Sequence, residues 1–217
     1  ADLIEAGYPA RAEGLLHKVL LSKPGDKDAL NNLALALKNL SRPEEALTQL
    51  REALKTDPDY FPTLVNITDL LLTLNRPEEA LTYAQKSVEI DGENALAHRQ
   101  LGMSLIRVRN FPAALISFEN SLSLQPGIFA CHAAASEAAL ASGNLEAATN
   151  HLSEASKLRP NFLPAQVNLV HLLIRQGQLD EADRRLKDLF DRLGDHPEVV
   201  KAYDALLRAR SSGGGNR

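Results

Sequence analysis

Tryptophan is absent from this 217-residue chain, cysteine and methionine occur once each, and aromatic residues make up only 5% of it. A core with so few aromatics must be built from Leu, Ala, Val and Ile, a balance that favours helix over strand. Cys131, the single cysteine, excludes an internal disulfide and leaves the redox compartment open. An excess of cations is also missing. The 24 Lys and Arg against 28 Asp and Glu give a formal net charge of -4, so nucleic acid is not an expected partner. No apolar run approaches the roughly 20 residues of a membrane-spanning helix, so membrane insertion is not expected. No charged-then-apolar leader opens the chain. A cytoplasmic protein is expected, or a periplasmic one if an upstream signal has been removed. Equally missing are G-x-S-x-G, H-E-x-x-H, C-x-x-C and Walker-type glycine loops, so neither catalysis nor a cofactor is expected.

What the chain does have is repetition. The hexapeptide RPEEAL stands at Arg42–Leu47 and again at Arg76–Leu81, 34 residues later. Shifting the sequence by that interval aligns Ala12, Ala46, Ala80, Ala114, Ala148 and Ala182 in one column. A second column holds Pro24, Pro58, Pro126 and Pro160, with Gly92 and Gly194 in the two other places. A third reads Leu3, Leu37, Leu71, Leu105, Ala139, Leu173 and Leu207, and a fourth Leu33, Ile67, Leu101, Ala135 and Leu169.

Each 34-residue unit reads as two helices. In the unit 95–128, Leu101 and Leu105 form an i, i+4 stripe, and Ala114, Phe118, Ser121 and Leu122 form a second. That second helix stops at Gln125-Pro126-Gly127, where Pro cannot continue it and Gly tolerates positive φ. No segment alternates with period two, so strands are not expected. The alanine column implies a close crossing, because a larger side chain would force the two axes apart. Ala34, Thr68, Gly102, Ser136 and Val170 are expected to face that crossing from the first helix. In RPEEAL, Pro opens the second helix and the Glu pair suits the positive end of its dipole. One helix pair cannot bury its apolar face alone, but stacked pairs can.

The order of large apolar, Leu, small and Leu, followed by Ala, large apolar, Ala or Ser and Pro, resembles the tetratricopeptide repeat. In the unit 27–60 these are Leu30, Leu33, Ala34 and Leu37, then Ala46, Leu50, Ala53 and Pro58. The resemblance, to a bacterial-type array, implies an all-α fold. It would be an α-solenoid of stacked helix-turn-helix tetratricopeptide repeats wound as a right-handed superhelix. One domain, 1–210, is expected: a half repeat (1–26), repeats 27–60, 61–94, 95–128, 129–162 and 163–196, and a capping helix (197–210). In that cap Val200, Tyr203 and Leu207 are in phase, and 211–217 reads as a disordered tail. The chain departs from the family at the fourth position, where Leu30, Leu64, His98, His132 and Gln166 replace the usual aromatic. The first helix of 129–162 is also unusually rich in alanine, which implies tighter or looser packing than in its neighbours. Ala1 falls in the middle of a first helix, so a fragment of a longer protein, or lost upstream sequence, is expected. The half repeat leaves an apolar face that invites homo-oligomerisation.

His98 and His132 recur 34 residues apart beside Cys131, but no third metal ligand can be named, and packing is the better account of both. The resemblance implies instead a concave groove lined by positions 2, 5, 6, 9, 12 and 13 of the first helices, in which an extended peptide lies. The sixth position reads Asn32, Asn66, Gln100, Ala134 and Asn168. A side-chain amide both donates and accepts, so such a series can hold a peptide backbone without reading its sequence. It resembles the asparagine ladder of O-linked N-acetylglucosamine transferase. For each amide the alternative is a bond to a neighbouring helix. Asp69, Leu72, Arg99, Met103, Ile106, Arg107, Glu137, His171 and Arg175 occupy other groove positions and would read side chains. The Lys and Asn pairing of a carboxylate clamp is missing, with Leu96 where a second Lys is expected, which argues against acidic chaperone tails. The expected function is a protein–protein interaction scaffold binding an extended peptide or partner segment. The alternatives are a targeting or regulatory arm of a larger enzyme, such as a glycosyltransferase, and a self-assembling scaffold.

Overall fold

A computed structural model of the chain describes residues 2–213, and the final four residues of the expected tail (214–217) lie outside them. The described residues form thirteen helices and no strand, an all-α helical-repeat solenoid. They group into two compact units, one ending at Leu124 and the other beginning at Gln125. The first unit holds α1 (Asp2–Glu5), α2 (Pro9–Ser22), α3 (Lys27–Asn39), α4 (Pro43–Thr56), α5 (Phe61–Thr73), α6 (Pro77–Ile90), α7 (Ala95–Arg107) and α8 (Phe111–Leu124). The second holds α9 (Phe129–Ala141), α10 (Leu145–Leu158), α11 (Leu163–Arg175), α12 (Leu179–Leu193) and α13 (Pro197–Gly213).

The helix ends follow the sequence signals. Pro43 and Pro77 begin α4 and α6, with Glu44, Glu45, Glu78 and Glu79 in the first turns. Asp26, Asn94 and Asn144 cap α3, α7 and α10 by accepting from the backbone N–H groups of Ala29, Leu96 and Ala147. Between the two helices of each repeat the chain turns through one residue at positive φ: Gly7, Ser41, Asn75, Arg109, Gly143 and Gly177, again at 34-residue spacing. Ser41 and Arg109 hold this left-handed conformation without glycine's freedom, at a cost of about 1 kcal/mol each. Their identities hide the column from the sequence.

In the first unit, Leu33, Leu37, Leu47, Leu50, Ile67 and Leu71 form a closed core with Ala46 and Ala80. The alanine column is buried throughout. At the crossing of α7 on α8 the approach is close. A Cβ added at Gly102 would stand 2.7 Å from Cε1 of the fully buried Phe118 ring, so only glycine fits there. Ser121 on α8 ties the same pair by donating to the carbonyl of Ala95, 2.7 Å away.

The arginine of RPEEAL has a part that the sequence did not disclose. Arg42 grips Glu45 with Nε and Nη2, each at 2.6 Å, and reaches Glu13 of α2 with Nη1 at 2.7 Å. Arg76 grips Glu79 with Nε at 2.6 Å and lies 3.6 Å from Glu44 of α4. Each arginine therefore links its own second helix to that of the preceding repeat. Hydrogen bonds to Glu45, and next to Glu13, hold the Arg42 guanidinium above its ordinary pKa, and Arg42 in turn lowers that of Glu45.

In the second unit α9 packs on α10, and α13 packs on α11 and α12. The buried face of α13 is Val199, Ala202 and Leu206, with Tyr203 edge-on to Phe190 at 5.6 Å. Val200 and Leu207, in phase with Tyr203 in the sequence, are exposed. They stand in columns that face the second helix of a repeat, and no such helix follows α13 among the described residues. The helix also runs on through Ser211 and Ser212 to Gly213, where the tail was expected to begin.

Candidate peptide-binding face

In the first unit the first helices α3, α5 and α7 lie side by side, with α5 in contact with both others. This brings amides of adjacent repeats into register. Asn66 Nδ2 donates to Asn31 Oδ1 at 3.0 Å, and Gln100 Nε2 donates to the carbonyl of Val65 at 2.9 Å. Gln100 is buried and its Oε1 has no partner. Two of the three amides are thus committed to a neighbouring helix, and Gln100 is withdrawn from any ligand. Asn32 is half-buried and makes no hydrogen bond among the described residues. Asp69 pairs with Lys38, and the crevice that they share with Asn66 has a volume of only about 20 Å³. Arg107 Nη2 donates to Asn75 Oδ1 at 2.7 Å. Met103 is exposed, while Leu72, Arg99 and Ile106 are half-buried.

The second unit is more open. Here α9 and α11 approach less closely than α3 and α5 do, and a cavity of about 570 Å³ opens between them. Ala133, Glu137 and Leu140 line it from α9, and Pro164 and Asn168 from α11. Glu137 and Asn168 are therefore brought together, whereas His171 and Arg175 are exposed outside the lining. Phe129 and Phe162 wall the cavity edge to face, with centroids 5.1 Å apart, and the Arg159 guanidinium covers Phe129 at 4.4 Å. Sequence reasoning passed over this aromatic pair. Its one signal was two phenylalanines in a single unit of an aromatic-poor chain.

The recurrent histidines lock turns. His98 Nε2 donates to the Gly92 carbonyl at 2.9 Å, and His132 Nε2 to that of Pro126 at 3.0 Å. With that nitrogen protonated, a neutral His132 ring accepts at Nδ1 from His151 Nδ1–H, 3.2 Å away. No described helix is long and apolar enough to cross a membrane.

A tetratricopeptide repeat profile matches residues 3–64 and 139–206, and a second such profile matches 61–94. The chain belongs to the tetratricopeptide repeat family. Among curated relatives, DnaJ homolog subfamily C member 3 of Homo sapiens is 27% identical over 112 residues. That stretch is 52% of this chain but only 22% of the relative's length. The Mus musculus protein of the same name is 28% identical over the same coverage. Of solved structures, PilW, described as a widely conserved type IV pilus biogenesis factor, matches with a TM-score of 0.75. Its identity is 18%, over 93% of this chain and 94% of its own. YrrB, described as having an unusual peptide-binding site, matches at 0.73 and 18% identity, over 87% of this chain and 97% of its own. At these identities the likeness is one of fold.

Proposed function

We propose that this tetratricopeptide array is a non-enzymatic scaffold that holds an extended peptide or partner segment on the faces of its first helices. The observation that carries this is the cavity of the second unit. Its walls, Ala133, Glu137 and Leu140 of α9 and Asn168 of α11, are positions 5, 9, 12 and 6 of their repeats, which the family likeness assigns to ligand contact. Asn32 and Asn168, with Asn66 through the Oδ1 that no described residue engages, hold the segment's backbone; Leu72, Arg99, Met103, Ile106 and Arg107 meet its side chains. Replacing the three asparagines together by alanine is expected to leave the circular dichroism spectrum intact. Retention of a pool of random ten-residue peptides on the immobilised protein should fall by about tenfold, equivalent to roughly 1.4 kcal/mol. Undiminished retention would remove the first helices from the function.

A second function, self-association, is favoured by α2. Val19 is 41% exposed, although its column, Ala53, Ser87, Ser121, Ala155 and Leu189, is at most 1% exposed except for this one member. The one-turn α1 covers only part of α2, and Leu15 and Tyr8 are bared on the same side. Light scattering over a concentration series should show mass rising above the monomer, and Val19→Asp should restore the monomer. A constant monomer mass for the unaltered chain excludes this role.

A further inference from the structure

Two acidic residues occupy the ninth position of their repeats, Asp69 on α5 and Glu137 on α9. Asp69 is neutralised from within the array by Lys38, which stands at the twelfth position of the preceding repeat. Glu137 is exposed, has no ion-pair or hydrogen-bond partner among the described residues, and is the one Asp, Glu, Lys or Arg on α9.

The space beside it has a cause in the sequence. On α9 the fifth and thirteenth positions, Ala133 and Ala141, line the cavity, where the equivalent helix of the first unit, α3, has Asn31 and Asn39. These truncations leave about 570 Å³ open where the first unit has a crevice of about 20 Å³. One wall is aromatic. Arg159 already covers Phe129, so Phe162, which is 43% exposed, is the open ring.

We infer that this cavity takes a lysine or arginine side chain of the bound segment, an assignment that rests on the scaffold function proposed above. The methylene stem lies against Ala133, Leu140 and the Phe162 ring, as long cationic side chains commonly lie on apolar surface. The cation reaches Glu137, supplying from the partner what Lys38 supplies to Asp69 from within the chain. Asn168, on the opposite wall, bonds the segment's backbone. A wholly apolar occupant would fill the volume but strip water from an unpaired carboxylate, and an acidic one would be repelled by it.

The test uses four pools of acetylated ten-residue random peptides that differ only in a fixed central arginine, citrulline, glutamate or leucine. Each is passed over the immobilised 217-residue chain and over its Glu137→Gln and Glu137→Lys variants. Citrulline keeps the shape of arginine without its charge. The arginine pool is expected to be retained about tenfold more strongly than the citrulline pool. Glu137→Gln should abolish that preference while retaining peptides, and Glu137→Lys should turn it towards the glutamate pool. Equal retention of the arginine and citrulline pools, with both lost in the triple asparagine variant, overturns the cation assignment and leaves the scaffold function standing. A preference for the leucine pool overturns it in favour of an apolar occupant. Retention of no pool overturns both.

Discussion

Phe118→Ala is expected to lower the unfolding free energy by about 3–5 kcal/mol, measured by chemical denaturation followed by circular dichroism. The ring is fully buried in α8, and the residue opposite it on α7 is Gly102, which has no side chain with which to fill the void. A loss below about 1 kcal/mol would mean that the two helices close the gap by moving together. The companion substitution sharpens the result. Gly102→Ala sets a methyl group 2.7 to 2.9 Å from three atoms of the Phe118 ring, which cannot turn away within a closed core. The strain, about 1–3 kcal/mol, should outweigh the gain of about 1 kcal/mol from alanine's helix propensity. In a Phe118→Ala background the same methyl enters empty space, so its effect should change sign. That reversal is the signature of direct contact between the two residues.

Ala80→Leu is expected to cost about 1–3 kcal/mol, read as a lower thermal midpoint. Ala80 is wholly buried in the cluster that joins the repeats of α3, α4, α5 and α6, against Leu47, Leu50, Ile67 and Leu71. Three added carbons have nowhere to go unless α6 moves off its neighbours. Gln85→Leu, on the exposed side of the same helix, introduces the same residue without crowding and should stay within about 0.5 kcal/mol. Equal effects at the two sites would show that the alanine column marks helix preference and not a close crossing.

Most of the fold was legible in the residues because a 34-residue period superimposes equivalent faces. Ala12 to Ala182 marked the crossings, Pro43 and Pro77 the helix starts, and Gly102 a close approach of α7 to α8. The left-handed column was hidden because Ser41 and Arg109 hold by tertiary context a conformation that glycine would have announced. On α13 Val200 and Leu207 keep the repeat's spacing yet are exposed, because the partner of that spacing is missing among the described residues.

The candidate site was less legible. Its positions followed from repeat register, but the state of each side chain did not. Asn66 and Gln100 look equivalent to Asn32 and Asn168 in sequence, yet their amide groups bond to Asn31 and Val65 of the neighbouring repeat. The aromatic wall drew no notice, since Phe129 and Phe162 lie 33 residues apart in the chain.

By itself the sequence determined the period, the paired helices and the small residues at their crossings, since spacing along a helix dictates which side chains share a face. Only the tertiary structure decided which polar groups remain free for a partner. A hydrogen bond or ion pair depends on what the next repeat places within about 3 Å. Lys38 is there for Asp69, and no described cation is there for Glu137.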